Sequence, residues 1–300
     1  MNPVFDRDQV RRAFSRASSS YGAASGLQRE VEASMLESLD YLVLKREDGW
    51  APERVLDVGS GPGRAATALR ARWPRTRVLA VDLAMPMLRA LRPRTGWNPL
   101  RPPIDRINAD ARALPIADAS IDVLFCNLCL QWVDDLPAAF AGFRRVLRPG
   151  GLLLCSTFGP DTLQELREAF AAADDAPHVS PFASIADFGD ALVRAGFRDP
   201  VLDREVHVHG HPDMASLMRE LRAMGATNAL ASRRRALTGR ARFAAAQAAY
   251  GTLRRDDGLL PATWETITAM AWGPEAGAPI RERGAEIATF PAARIPIRRR

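Results

Sequence analysis

The chain has 300 residues, 47% hydrophobic and 25% charged, the composition of a soluble globular protein long enough for one large domain with an elaboration. Its net charge is +6, yet of 41 Lys plus Arg residues only Lys45 is a lysine. A P-loop needs a lysine behind its glycines and a pyridoxal-phosphate enzyme needs one for its Schiff base. Lys45 sits in Lys45-Arg46-Glu47-Asp48-Gly49 with no phosphate loop before it, so neither class fits.

Three cysteines, Cys126, Cys129 and Cys155, do not suggest a disulfide framework. The opening residues carry acids and no apolar stretch of a leader peptide, and no window approaches the roughly 18 apolar residues of a spanning helix. A cytoplasmic protein without membrane contact is expected. Positive charge concentrates late in the chain: residues 212–260 hold nine Arg against four acids, and residues 281–300 hold six Arg against two Glu. The rest is mildly acidic, which points to an acidic partner docking beside a small-molecule site.

In chain order, residues 8–44 carry helical periodicity, interrupted at Ser18-Ser19-Ser20-Tyr21-Gly22. Residues 54–58 are a buried strand ending in glycines. A helix at 65–73, a strand at 77–81 closing on Asp82 and a helix beginning at 87 follow. Residues 93–103 form a proline-rich loop, and strands are expected at 104–109 and 121–127. A helix at 136–147 stops at Pro149-Gly150-Gly151, before a fifth strand at 152–157. Helices at 161–173 and 184–195, a strand at 201–209, a helical stretch at 213–255 and a last strand at 263–272 complete the reading. Alternating strands and helices argue an α/β fold with a mostly parallel sheet of about seven strands and a helical insertion before the last.

The chemistry concentrates at strand ends. Asp57-Val58-Gly59-Ser60-Gly61-Pro62-Gly63 closes the first strand and opens a helix, where glycines let backbone approach a ligand. Asp82, followed by Leu83, ends the second strand, placed to accept from two ribose hydroxyls. Asp110-Ala111 follows the third, where a carboxylate can meet an adenine amino group, and Asn127 ends the fourth. Together they describe a nucleoside pocket at the carboxyl edge of the sheet. Dinucleotide folds use G-x-G-x-x-G; here Gly63 falls in the wrong phase for that.

The form Asp57-x-Gly59-x-Gly61-x-Gly63, with Leu114-Pro115 and Arg148-Pro149-Gly150-Gly151, resembles the class I S-adenosylmethionine-dependent methyltransferases with their Rossmann-like sheet. The flanks narrow the resemblance to the malonyl-carrier-protein O-methyltransferases of biotin synthesis. It is carried by Phe14-Ser15-x-Ala17, Tyr21 and Leu27-Gln28-Arg29-Glu30-Val31, by Asn127-Leu128-x-Leu130-Gln131-Trp132, and by Ser156-Thr157-Phe158-Gly159-Pro160-x-Thr162-Leu163-x-Glu165. Further matches are His178-Val179-Ser180-x-Phe182, Gly225-Ala226-x-Asn228, Leu237-Thr238-Gly239 and Asp257-Gly258-x-Leu260-Pro261. Gly22 departs from the family, which often has an acid there.

This resemblance implies S-adenosylmethionine as cofactor and methyl transfer to the free carboxyl of a malonyl thioester on acyl carrier protein or coenzyme A. It implies four regions: a helical lid at 1–50, the cofactor core at 51–211, a basic helical insertion at 212–260, and a last strand with a basic tail at 261–300. Tyr21 and Gln28 join the strand-end residues around the cofactor. Gln131, Trp132, His178 and Arg219 fall to the substrate side, and Arg233, Arg234, Arg235 and Arg240 to docking of an acidic carrier. Two other readings stand beside it. The complex I assembly factors that modify a protein arginine share Trp132-Val133-Asp134-Asp135-Leu136 and a His-x-Ser-Pro-Phe run like residues 178–182. A nucleic-acid methyltransferase is suggested by the pI near 10.0 alone, and the basic stretch lacks interleaved aromatics for base stacking. His207-x-His209-x-His211 and Cys126-x-x-Cys129 have metal-like spacing without further ligands, so no metal is expected.

Overall fold

The computed structural model describes residues 3–44, 50–91, 103–234, 238–275, 280–282 and 285–287. Helices α1 (Arg7–Ala17), α2 (Tyr21–Ala24) and α3 (Gly26–Leu44) precede β1 (Arg54–Val58), α4 (Arg64–Arg72), β2 (Arg77–Asp82), α5 (Met85–Ala90), β3 (Asp105–Asn108) and β4 (Ile121–Cys126). A 3-10 turn at Leu130–Trp132 leads to α6 (Leu136–Val146), β5 (Leu147–Phe158), α7 (Gln164–Ala171), α8 (Ile185–Arg194) and β6 (Arg198–His211). Then come α9 (Met214–Ala223), α10 (Arg240–Gly251), β7 (Leu260–Trp272) and a short pair, β8 (Ile280–Glu282) and β9 (Ala285–Ile287).

The main sheet has seven strands in the order β3-β2-β1-β4-β5-β7-β6. β1 to β5 run parallel, and β7 is antiparallel to both its neighbours. This is the expected α/β architecture. Strand alternation sorts the sheet's side chains into two cores. Val55, Val78, Val123, Phe125 and Leu154 face α3, α4 and the helices around β7, whereas Leu56, Val58, Leu124, Cys126 and Leu153 face α6 and α8. Because both faces are covered, these strands read as continuous apolar runs. Helix α6 shows why its sequence is helical: Asp135 caps it by accepting from the Ala138 amide, and Phe140, Phe143 and Val146 fall on one buried stripe.

Two expectations are corrected. The stretch 213–255 is not one helix: α9 ends at Ala223, the described residues 224–234 and 238–239 are non-helical, and α10 starts at Arg240. Gly225, at φ +80°, turns the chain there, and a Cβ on it would lie 3.0 Å from the Phe14 ring. The edge strand β6 is also longer than 201–209, since it pairs with β7 from Arg198 to His211.

The signature around 159–165 is explained by a buried acid. Glu265 on β7 is 2% exposed, accepts from the Asp161 amide at 2.7 Å and pairs with Arg204. A Cβ on Gly159 would sit 2.3 Å from the Glu265 carboxyl carbon, so only glycine fits. The Glu165 carboxylate accepts from the Thr263 amide at 3.1 Å. These bonds fasten the turn before α7 to β7 and fix one wall of the region facing the carboxyl edge.

Candidate functional site

The glycine turn after β1 is built by left-handed backbone. Gly59, Gly61 and Gly63 have φ of +70°, +54° and +78°. Gly59 lets Cys129 approach, since a Cβ there would lie 2.5 Å from the Cys129 Cβ. At Gly61 an added Cβ would meet only the Tyr21 ring, at 3.8 Å, so the turn presents bare backbone to an open cradle. Asp57 is buried beneath, accepting from the Ala66 amide at 3.0 Å and tying the turn to α4. Burial, assisted by the Glu32 carboxylate, pushes its carboxyl up to about 7.

Asp82 closes β2 beside this turn. Its Oδ2 accepts from the Gly61 amide at 2.9 Å and its Oδ1 from the Ala84 amide at 2.7 Å, which aims the carboxylate and leaves lone pairs on both oxygens. Burial raises this carboxyl to about 6. Asp110 behaves oppositely: burial raises it, but Arg112 and Arg7 outweigh that and hold it below its ordinary value. The Arg7 Nε–Asp110 Oδ2 distance is 2.7 Å.

These groups surround one cavity, lined also by Phe5, Val10, Phe14, Leu83, Ala111 and Trp132. Helix α1 therefore forms its roof. Trp132 packs edge-on against Phe5 and Phe14, with ring centroids 5.9 and 5.5 Å apart. The roof is tied down from both sides. Asp134 accepts from the Val4 and Phe5 amides at 3.1 and 3.3 Å. Phe5 also forms a β-bridge to Leu230, with the Asp6 amide on Ala229 O at 2.7 Å and the Ala231 amide on Val4 O at 2.8 Å.

Tyr21 and Gly59 wall this cavity and a second one, lined by Gln28, Glu32, Asp57, Arg64 and Asn127. Burial and the Asp82 carboxylate push the Tyr21 phenol up, so it stays a neutral hydroxyl. Asn127 is fixed by donating to Gln28 O at 2.9 Å and accepting from Ser156 Oγ at 2.8 Å. The next residue, Leu128, takes φ +44°, backbone strain of the kind held at functional sites. Gln28 Oε1 is buried without a partner among the described residues, as an acceptor awaiting a donor from a ligand would be. The residues therefore fit S-adenosylmethionine, with its nucleoside in the cavity under α1 and its amino-acid end in the Gln28 cavity.

All the expected cofactor residues meet at this edge except Gly63, which instead packs under Leu91 as the N-cap of α4. Gln131 and Trp132 lie on the next wall, and His178 lines the same inner space, stacked on Phe170 with centroids 4.0 Å apart and 2.9 Å from Asp174. Arg219 is exposed on α9 and lines none of these cavities; Arg222, one turn on, walls a further cavity together with Phe170, Met218 and His178. Arg233 points inward, its guanidinium 2.9 Å from Asp6 and donating to Leu230 O at 2.8 Å, so it fastens the roof and is not free for docking. Arg234 and Arg240 are exposed, and Arg235 lies outside the described residues. His207 faces Glu205 at 3.5 Å and His211 faces Glu220 at 3.8 Å; no three metal-ligating groups converge among the described residues. Phe5, Arg7, Val10 and Asp134 went unrecognised in the sequence. Only the i, i+4 pair Val10 and Phe14 hinted at an apolar face.

The raised carboxyls give a pH prediction. A carboxylate accepting from ligand hydroxyls is favoured in its ionised form, so binding releases a proton wherever the free site holds one. Cofactor affinity should rise between about pH 5 and about pH 7 and level off above that. The unliganded fold should lose stability as pH rises from about 4 through about 7, because its folded carboxyls titrate above the unfolded value. Calorimetric titrations in buffers of different ionisation enthalpy measure the proton release. A flat affinity across the range would contradict the assignment.

No helix among the described residues is long and apolar enough to cross a membrane. The methyltransferase domain family matches residues 56–155. The fold is similar to that of the YcgJ protein from Bacillus subtilis, with a TM-score of 0.53 at 16% identity over 80% of this chain and 99% of that one. In sequence the chain is 57% identical to the malonyl-[acyl-carrier protein] O-methyltransferase of Xylella fastidiosa (strain M23), over 100% of this chain and 99% of the relative. It is 45% identical to the enzyme of the same name from Methylovorus sp. (strain MP688), over 91% of each. With that agreement spanning its whole length, the chain belongs to the malonyl-[acyl-carrier protein] O-methyltransferase family of S-adenosylmethionine-dependent enzymes.

Proposed function

We propose that the protein methylates the free carboxyl of a malonyl group held as a thioester on acyl carrier protein, masking it so that chain elongation can build toward the pimeloyl precursor of biotin. The observation that carries this reading is full-length similarity, which includes residues 212–260 outside the common methyltransferase core. Bound S-adenosylmethionine supplies a methyl group already activated on a sulfonium sulfur.

The chain's own residues then have a positioning task. A malonyl carboxylate is an anion at neutral pH, so no general base is needed. Asp82 and the 59–63 turn hold the nucleoside, while Gln28 and Asn127 border the amino-acid end. Holding two reactants aligned can supply roughly 7–11 kcal/mol of the barrier. The aromatic wall of Phe5, Phe14 and Trp132 keeps water from the carboxylate, whose attack is strengthened when it is stripped of solvent. Arg234 and Arg240 are exposed, and their charge suits docking of an acidic carrier.

The test is direct. Incubation with methyl-labelled S-adenosylmethionine and malonyl-carrier protein should yield a base-labile methyl ester, whereas acetyl-carrier protein, lacking the free carboxyl, should yield none. Folded, cofactor-binding protein that transfers no label to malonyl thioesters would overturn the reading.

A further inference from the structure

Two more cavities lie side by side between the arginine-bearing segment 224–234 and Trp132. The outer chamber, about 350 Å³, includes Phe170, Met218, Arg222 and Arg234 in its walls. The inner one, about 70 Å³, includes Gln131, Trp132, Phe182 and Trp264. Leu166, His178, Leu221, Ala226, Thr227 and Asn228 wall both, so the two chambers adjoin across these residues, which form the neck of the inferred passage. Trp132 in turn walls the nucleoside cavity as well, so the three cavities follow one another from the exposed arginines toward the cofactor site.

Three features define what the passage accepts. A neck between a wide and a narrow chamber suits a slender, extended ligand rather than a compact one. Its walls are mainly apolar, yet Thr227 Oγ1 and Gln131 Oε1 are buried without partners among the described residues. Such atoms cost free energy unless a ligand supplies hydrogen bonds. The mouth carries exposed Arg222 and Arg234, while Arg233 is already committed to Asp6. The complementary ligand is a thin chain with amides along its length, a phosphate at its outer end and the acyl group at its inner end.

We infer that this passage holds the 4′-phosphopantetheine arm of the acyl carrier, its phosphate at Arg222 and Arg234, an amide at Thr227, and the malonyl thioester beside Gln131 and Trp132. The inference rests on the acyl-carrier reading above and adds the path by which the substrate reaches the methyl donor. Coenzyme A carries the same arm, so malonyl-coenzyme A uses the same passage but lacks the carrier surface.

The probe is 4′-phosphopantetheine itself, titrated against the full chain, with turnover of malonyl-carrier protein measured in parallel. Ala226→Phe places a ring in the neck. It should weaken 4′-phosphopantetheine binding and lower carrier turnover at least ~50-fold, while S-adenosylmethionine affinity stays at the wild-type value. Thr227→Val keeps the shape and removes the hydroxyl; it should raise KM several-fold for both malonyl-carrier protein and malonyl-coenzyme A with little change in kcat. Arg234→Glu should weaken both thioesters as well. The inference is overturned if Ala226→Phe turns over malonyl-carrier protein as the wild type does, or, where that variant fails to fold, if Thr227→Val leaves both KM values unchanged. Wild-type protein that binds 4′-phosphopantetheine at this neck but methylates no malonyl thioester would remove the proposed reaction and leave the passage standing.

Discussion

Asp82→Ala should weaken S-adenosylmethionine binding by at least ~100-fold. Hydrogen bonds to a charged acceptor are worth about 1.5–3 kcal/mol each, and a ribose offers two, so the direct loss alone spans roughly two to four powers of ten in affinity. A second effect adds to it. The same carboxylate accepts from the Gly61 and Ala84 amides, and its removal leaves the glycine turn and the start of α5 without the group that holds them together. Asp82→Asn keeps one carbonyl acceptor and nearly the same shape, so it should fall between wild type and alanine. Isothermal titration of the three proteins checks the order. An alanine variant binding within fivefold of wild type would show that the ribose does not meet this side chain.

Gly63→Ala should cost stability rather than affinity alone. Its φ of +78° is a conformation that L side chains adopt only with strain, and an added Cβ would lie 2.0 Å from Leu91 Cδ1 and 2.3 Å from Leu91 Cγ. Strain and overpacking together are expected to cost about 2–4 kcal/mol, or roughly 3–6 °C in Tm for a chain of this length. The two contributions separate in a double variant. Leu91→Ala in the Gly63→Ala background removes the clash but not the strained φ, and its own truncation cost is measured from the Leu91→Ala single variant. The double variant is therefore expected to be less destabilised than the sum of the two single variants. A Gly63→Ala protein melting within about 1 °C of wild type would contradict both contributions.

The nucleoside half of the site was legible because it is local. Asp57, Asp82 and Asn127 stand at the ends of apolar strand runs and Asp110 follows the short, half-polar β3, and a doubly wound sheet brings such ends to one edge. The rest depends on contacts that spacing does not encode. Residues 224–239 are rich in Ala, Leu and Arg, good helix formers, so propensity favoured a helix through them. The structure turns at Gly225 instead, because the loop pairs with residues 4–6, more than two hundred positions away. For the same reason Arg233 read as part of an outward basic patch, although Asp6 draws it inward to 15% side-chain exposure. Gly59 and Gly159 could be seen as glycines but not explained. Their partners, Cys129 and Glu265, come from other strand ends and from β7.

The bridge between Phe5 and Leu230 joins the beginning of the chain to the wall of the outer passage. Residues 4–6 and 229–231 are consequently one cooperative unit in local unfolding, since the Asp6 and Ala231 amides bond across the bridge in both directions and cannot open separately. Lifting α1 to exchange the nucleoside breaks the bonds that also hold the loop beside Asn228 and Arg233. A ligand under α1 and one in the outer chamber are therefore expected to be coupled through this bridge, each changing the other's affinity by the same factor.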